Sequence, residues 1–337
     1  MGQRHPRSSL HPGDPGRVRE PDALAVSGGP GSQDQVEGRR PARLQVPAHA
    51  KINLCLRILG RRPDGLHELE SLVQTVDLHD DLTFEARPEG ITIDVDDPTV
   101  PSGPENLAFR AAAALPAPAS PPRGVHIRIR KAIPAGSGLG GGSSDAAATL
   151  LALRRLWGLD LSQRRLEEIA ATLGADVPFF LCGGTALLTG TGSVVEPLPD
   201  LGGYEVLIVF PGLSLSTREV YAKASESLTS ALRISSMATF KPTLKGSLAE
   251  EVEAWVRAGN DLEESARALC PAIGEIKAHL QAVGAGAAAM TGSGSAVFGI
   301  FRNPGAIGRA SAEARARGFR TIRCAPLKRE EFRRRVG

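Results

Sequence analysis

The chain has 337 residues, enough for two ordinary domains, and its hydrophobic fraction of 42% is typical of a folded protein with a core. Its formal net charge is only +3, so it lacks the concentrated positive charge that is typical of nucleic-acid-binding proteins. No run of 18 apolar residues occurs, so no membrane-spanning helix is predicted. We therefore expect neither a nucleic-acid partner nor a membrane partner, and the oligomeric state is left open.

The four cysteines, Cys55, Cys182, Cys270 and Cys324, are far apart and form no metal-ligand pair. The seven histidines also lack metal-ligand spacing. Without the apolar stretch of a secretory signal, the sequence favours free thiols in a reducing cytoplasm and no protein-bound metal site.

Residues 1–43 are rich in Gly, Pro, Arg, Ser and Gln and are nearly devoid of large apolar side chains. Such a segment buries too little apolar surface to offset its ordering entropy, so we predict a disordered tail. The folded part is predicted to form two domains, 44–203 and 204–330, with the boundary at the turn-rich segment 199–203.

Strands and helices are predicted in an irregular order. The predicted strands are 44–60, two strands within 81–95, 125–129, 184–189, 204–210, 287–291, 296–301 and 319–324. The predicted helices are 105–115, 144–157, 162–173, 217–228, 247–256, 261–269, 272–283 and 304–316. Because the order lacks regular βαβ alternation, the α+β class is favoured.

A glycine-rich loop joins the strand 125–129 to the helix predicted from Ser144. Glycine lets the backbone turn tightly and approach a ligand, and the start of a helix offers free N–H groups to an anion. A flexible linker is the alternative, but a linker is not usually framed by a strand and a strong helix. No Lys-Ser or Lys-Thr follows, so this is not a Walker A loop. We predict that it binds the phosphates of ATP through Pro134, Ala135, Gly136, Ser137, Gly138, Leu139, Gly140, Gly141, Gly142, Ser143 and Ser144.

Asp176 is followed by the strongly apolar segment 177–180, where an ionised carboxylate needs a partner. Lys51, flanked by Ala50 and Ile52, is the candidate. The pair is either a structural salt bridge or a catalytic pair that takes or orients the proton of an attacking hydroxyl.

Four segments together resemble the galactokinase, homoserine kinase, mevalonate kinase and phosphomevalonate kinase superfamily. They are residues 50–54, 134–147, 173–180 and 291–296, and the resemblance extends over about 46–327. Within the superfamily, the string Gly-Leu-Gly-Gly-Gly-Ser-Ser-Asp-Ala-Ala at 138–147 is most similar to the branch that acts on 4-diphosphocytidyl-2-C-methyl-D-erythritol.

The resemblance implies a two-domain kinase with its active site in the cleft between the domains. It implies ATP and a nucleotide-bound Mg²⁺, with Lys51 and Asp176 as the catalytic residues. For substrate binding it implies Asn53, His67, Tyr221, Thr291, Gly292 and Ser293. His67 and Tyr221 would hold the cytosine, although Leu66 stands where that branch usually has Tyr.

Two alternatives remain at this stage. One is another kinase of the superfamily, of the homoserine or mevalonate type, against which the segments 64–67 and 140–145 count. The other is a non-catalytic nucleotide- or RNA-binding module, which the intact Lys51 and Asp176 and the near-neutral charge disfavour.

Overall fold

The computed structural model describes residues 42–228 and 248–337. A six-stranded sheet begins with two long antiparallel strands, β1 (Arg43–Arg61) and β2 (His67–Arg87). The further strands are β3 (Ile91–Val95), β4 (Gly124–Arg130), β5 (Thr185–Thr189) and β6 (Val194–Pro197). The order is β3-β4-β2-β5-β6, with β1 paired to β2, and β3 and β4 are parallel.

Four helices belong to this six-stranded half of the molecule. They are α1 (Leu107–Ala114), α2 (Gly141–Leu156), α3 (Gln163–Leu173) and α4 (Phe179–Cys182). The side chains of Asn106 and Ser162 accept hydrogen bonds from the first turns of α1 and α3, which sets where those helices begin. Alanine on α1 and α2 lets these helices pack closely against each other and over the sheet.

The four-stranded half has an antiparallel sheet with the order β10-β7-β9-β8. Its strands are β7 (Glu205–Phe210), β8 (Ala287–Met290), β9 (Val297–Phe301) and β10 (Arg320–Cys324). The remaining helices are α5 (Thr217–Leu228), α6 (Leu248–Ala258), α7 (Glu263–Leu269), α8 (Ala272–Ala282), α9 (Pro304–Ala316) and α10 (Arg329–Val336). The last helix returns to the six-stranded half, where it contacts β1 and α2.

Strand β1 contributes to the cores of both halves. Val46 and Ala48 belong to the core of the six-stranded half, whereas Ala50, Ile52 and Leu54 pack in one cluster with residues of the four-stranded sheet. The polar residues between these apolar ones are therefore held where the two halves meet.

The α+β class is confirmed, and most predicted elements are present within a few residues. The start of β2 was missed, because the polar residues between 77 and 81 hide the strand pattern. The short strand β6 and helix α10 were also not predicted. Helix α2 begins at Gly141 rather than at Ser144. Gly140 (φ 76°) adopts a left-handed conformation, which cannot continue a right-handed helix, so the helix begins directly after it. No side chain caps this end.

The predicted disorder of residues 1–43 concerns a segment of which 1–41 lie outside the described residues. The division into domains 44–203 and 204–330 stays a prediction. Within 42–228 and 248–337, no helix is long and apolar enough to cross a membrane.

Candidate active site

A cavity of about 1350 Å³ is lined by residues from both halves. Its lining includes most of the predicted site residues: Lys51, Asn53, His67, Pro134 to Ser143, Asp176, Tyr221, Gly292 and Ser293. Ser144 and Thr291 do not line it.

The glycine loop presents unpaired backbone donors to this cavity. Within the described chain, the N–H groups of residues 138–143 have no hydrogen-bond partner, because they precede the first helical bond of α2, from the N–H of Ser144 to the oxygen of Gly140. A Cβ on Gly138 would lie 2.1 Å from the carbonyl oxygen of Thr291, so only glycine fits there. Free N–H groups at the positive end of a 16-residue helix suit a polyphosphate.

The three serines of the loop differ in their access to the cavity. Ser137 is buried, and its hydroxyl donates to the oxygen of Pro134 at 2.7 Å. Ser144 is also buried and lies inside α2. Ser137 and Ser143 both line the cavity, but Ser143 is less buried, so it is the serine best placed to reach a phosphate.

Lys51 and Asp176 meet at the cavity wall. The Nζ of Lys51 lies 3.4 Å from Oδ2 of Asp176, and the side chains are 4% and 36% exposed, respectively. Asp176 lies in the turn between α3 and α4, and the apolar residues after it turn into the core without covering the carboxylate. The expectation that Asp176 lacks solvation is thus wrong, and its carboxylate is open to a ligand.

Asn53 holds Lys51 in place by a hydrogen bond, and Thr291 in turn contacts Asn53. The Oδ1 of Asn53 accepts a hydrogen bond from Nζ of Lys51 at 2.6 Å, and Nδ2 of Asn53 donates to the hydroxyl of Ser71 at 2.7 Å. Thr291 is fully buried, and its hydroxyl accepts a hydrogen bond from the N–H of Asn53. The same hydroxyl lies 3.3 Å from the carbonyl oxygen of Gly138, to which it can donate. Thr291 does not line the cavity, and its hydrogen bonds favour a role in orienting Asn53 and the glycine loop. Substrate binding by Thr291 stays a prediction.

The loop after β8 also reaches the cavity. Gly292 and Ser293 line it, and their binding of substrate stays a prediction. The hydroxyl of Ser293 lies 2.9 Å from that of Thr217, the first residue of α5. This hydrogen bond joins the loop to the helix that carries Tyr221.

His67 and Tyr221 lie at one end of the cavity, and their ring centroids are 5.1 Å apart at an interplanar angle of 36°. Two rings in direct contact leave no room for a base between them, because a stacked base needs about 3.4 Å on each side. Burial, with a smaller effect of Asp176, raises the pKa of the Tyr221 phenol, which therefore stays protonated at neutral pH. Leu66 is 55% exposed at the same end of the cavity.

Sequence reasoning missed a buried charge cluster beneath the glycine loop. The Nζ of Lys131 donates to Asp80 at 2.5 Å and to Asp145 at 2.8 Å, and all three side chains are at most 6% exposed. Asp145 lies within α2, where its carboxylate contacts Lys131. The sequence signal that could have predicted this cluster is a basic residue, Lys131, just before the loop and an acidic residue, Asp145, just after it.

The charges in this cluster perturb one another. Burial is the largest influence on Asp145 and raises its pKa to about 7, with Lys131 opposing the shift and Asp80 adding to it. Burial disfavours the Lys131 ammonium, but Asp145 and Asp80 outweigh this effect and raise its pKa. No cluster of three or more His, Cys, Asp or Glu side chains within 42–228 and 248–337 is arranged to hold a metal ion.

Comparison with known proteins agrees with this geometry. Residues 106–184 match the model of the GHMP kinases N terminal domain, and residues 242–319 match that of GHMP kinases C terminal. The chain is 44% identical over 259 residues to 4-diphosphocytidyl-2-C-methyl-D-erythritol kinase of Pelotomaculum thermopropionicum, covering 75% of this chain and 87% of that protein.

Solved structures give the same grouping. A crystal structure of 4-(cytidine 5'-diphospho)-2C-methyl-D-erythritol kinase matches with a TM-score of 0.67 and 37% identity, covering 84% of this chain and 99% of that chain. Homoserine kinase from Cytophaga hutchinsonii shares the fold, with a TM-score of 0.62 at 18% identity over 87% of this chain and 96% of that chain. The chain therefore belongs to the 4-diphosphocytidyl-2-C-methyl-D-erythritol kinase family of GHMP kinases.

Proposed function

We propose that this ATP-dependent kinase transfers the γ-phosphate of ATP to the C2 hydroxyl of 4-diphosphocytidyl-2-C-methyl-D-erythritol. The products are the 2-phosphate and ADP, in the non-mevalonate route to isoprenoid precursors. The observation that carries the proposal is that the Lys51–Asp176 pair and the free N–H groups of the glycine loop open onto one cavity. The names of the relatives supply the substrate.

ATP would lie with its phosphates against the N–H groups of residues 138–143, at the positive end of α2. Ser143 would add a hydroxyl to this phosphate site. The proposal includes Mg²⁺ as an ion held by the nucleotide phosphates, whose charge it would partly neutralise.

Lys51 and Asp176 would act on the acceptor hydroxyl. The hydroxyl oxygen forms a bond to the γ-phosphorus while the bond from that phosphorus to the β,γ-bridging oxygen breaks, and ADP leaves. The carboxylate of Asp176 is accessible and takes the hydroxyl proton. The ammonium of Lys51, oriented by Asn53, stabilises the negative charge that builds up around the transferring group.

The cytidine part would occupy the end of the cavity that Leu66, His67 and Tyr221 line. Because His67 and Tyr221 contact each other, we place the base beside this aromatic pair rather than between its rings. A cytoplasmic location fits the proposal, supported by four free cysteines, three of them buried.

A phosphotransfer assay tests the function. The purified chain is incubated with ATP and Mg²⁺ and, in parallel, with 4-diphosphocytidyl-2-C-methyl-D-erythritol, homoserine or mevalonate. We expect a kcat/KM at least 10³-fold higher for the cytidylyl alcohol, because only that acceptor fills the His67 end of the cavity. Comparable or greater turnover of homoserine or mevalonate would overturn the assignment.

A further inference from the structure

A hydrogen-bonded chain runs from His67 into helix α5. The Nε2 atom of His67 lies 2.9 Å from the hydroxyl oxygen of Ser225. That hydroxyl also lies 2.9 Å from the carbonyl oxygen of Tyr221, one turn earlier in the helix, to which it donates. A serine hydroxyl has one proton, and a carbonyl oxygen can only accept. The Ser225 hydroxyl therefore accepts from His67, and Nε2 carries a proton.

This arrangement selects one form of the imidazole. Burial, and to a lesser extent the positive charge of Arg61 directly across the β1–β2 ladder, lowers the pKa of His67, so the ring is neutral at neutral pH. A neutral imidazole with its proton on Nε2 has an unprotonated Nδ1, which is a hydrogen-bond acceptor. Within the described chain, Nδ1 of His67 has no hydrogen-bond partner, and the residue lines the cavity.

An acceptor at this place distinguishes the two common pyrimidines. Cytosine carries an exocyclic amino group, which donates, where uracil carries a carbonyl oxygen, which accepts. The packing of His67 on Tyr221 holds the ring in place. If a uracil oxygen faced Nδ1, two acceptors would face each other. Both groups would then lack the hydrogen bonds that they make in water.

We propose that Ser225 is a positioning residue that holds His67 in the Nε2–H form, so that Nδ1 accepts from the amino group of cytosine and the site prefers a cytidine diphosphate ligand to a uridine one. The proposal rests on the proposed function for the identity of the ligand. Ser225 also lines the cavity, but its hydroxyl is engaged by His67 and by the carbonyl oxygen of Tyr221, so it acts on the base through the imidazole.

The tautomer of His67 is tested without any turnover. Nitrogen NMR of histidine-labelled protein, with the His67 signals identified by their loss in His67→Gln, reports which ring nitrogen is protonated. We expect an Nε2–H form in the unmodified chain and in Ser225→Thr, and a mixture of both forms in Ser225→Ala. A predominantly Nδ1–H form in the unmodified chain would overturn the inference.

Base selection is tested by binding, so its outcome does not depend on catalysis. Calorimetry measures the dissociation constants of cytidine 5'-diphosphate and uridine 5'-diphosphate while a non-hydrolysable ATP analogue saturates the glycine loop. We expect the preference for cytidine to fall at least 10-fold in Ser225→Ala, partly through tighter uridine binding, because an Nδ1–H form can donate to the uracil oxygen. Ser225→Thr should keep the preference.

Ser311→Ala is the matched control, because it removes a half-buried, hydrogen-bonded helical serine that lies outside the cavity. An unchanged cytidine preference in Ser225→Ala would overturn the inference even if the phosphotransfer assay succeeds. Conversely, the expected tautomers and preferences together with no turnover of the cytidylyl alcohol would leave the inference standing and refute the proposed reaction.

Discussion

Lys51 and Asp176 differ sharply in exposure, with 4% of one side chain and 36% of the other accessible. A carboxylate that acts on a substrate has to be accessible, and the carboxylate of Asp176 meets this condition. Asp176→Asn keeps the shape but cannot accept a proton. We expect kcat to fall by roughly 10²–10⁴ with little change in the KM for ATP, measured in steady-state assays. The denaturant midpoint should change little, because solvent already screens the carboxylate.

Asp261→Asn provides the matched control for this prediction. Asp261 pairs with Arg57 at 2.6 Å and accepts from the N–H of Ile58, and it does not line the cavity. Asp261→Asn should lower the denaturant midpoint and leave kcat unchanged. Lys51→Met should also lower kcat, and the double variant with Asp176→Asn should lose far less than the product of the two single losses. Near-normal turnover with a collapsed midpoint in Asp176→Asn would identify a structural pair.

The Lys131 cluster predicts a pH dependence of stability. Burial raises the pKa of Asp145 from 3.8 to about 7, so between these values the folded protein binds more protons than the unfolded chain. This contribution is fully present below about pH 4 and is lost as the pH rises to about 7. As the pH rises over this range, Asp145→Asn should therefore become more stable relative to the unmodified chain. Denaturant unfolding at several pH values measures this difference.

The difference between the variant and the unmodified chain isolates Asp145 from other titrating groups. His49, for example, has its pKa lowered by burial to about 3. Its contribution to the free energy of unfolding therefore has the opposite pH dependence, and this contribution is lost as the pH falls below about 6.5. Ser162→Ala removes an uncharged side chain that caps α3, so it is a control whose difference should not depend on pH in this window. A constant difference between Asp145→Asn and the unmodified chain from pH 4 to 7 would contradict the prediction.

In the proposed function, ATP binding depends on the start of α2. Gly142 is exposed there, and a Cβ at this position would lie no closer than 3.6 Å to Leu107. Gly142→Val should thus fold normally while its side chain blocks the approach of phosphate to the N–H groups. We expect calorimetry to show an ATP affinity at least 10-fold weaker, with a near-native melting temperature.

Other positions in the loop make poorer tests, because Gly140 has a φ of 76° and its Cβ would lie 2.8 Å from the ring of Phe180. A Val at Gly141 would meet Ile133 at 3.0 Å. Gly308→Val is the control, since a Cβ there meets nothing within 4 Å on helix α9. Equal ATP affinities in Gly142→Val and Gly308→Val would show that the phosphates bind elsewhere.

At the scale of the whole molecule, α10 ties the end of the described chain to the six-stranded half. Phe332 is 1% exposed and belongs to the core that α2 and β4 also form. Gly183 fits against its ring, where a Cβ would lie 2.2 Å away. Phe332→Ala should cost about 3–5 kcal/mol of unfolding free energy, measured by denaturant titration, because it leaves a cavity in this core.

Arg334→Ala is the control for Phe332, since Arg334 lies on the exposed side of the same helix. It should change the unfolding free energy by less than about 0.5 kcal/mol. If both variants lose the same stability, core packing does not explain the effect of Phe332, and helix propensity is no explanation either, because alanine favours the helix.

Several site residues could be predicted because their signals are local. The glycine loop combines backbone freedom with the start of a helix, and both properties belong to consecutive residues. The pairing of Lys51 with Asp176 was predicted from charge in apolar surroundings and from resemblance, and the 3.4 Å contact agrees with it. The contact of Asp145 with Lys131 was not predicted, because the two residues lie on opposite sides of the loop and their contact depends on how the loop folds.

The sequence by itself determined the α+β class, the glycine-rich loop before α2 and the family, because these depend on periodicity, glycine spacing and short motifs. Only the tertiary structure decided that Thr291 is buried behind Asn53, that His67 contacts Tyr221, and that Ser225 orients His67. Each of these contacts joins residues more than 150 positions apart. Such pairs are set by how the two sheets pack around β1, and no local pattern of residue types encodes that packing.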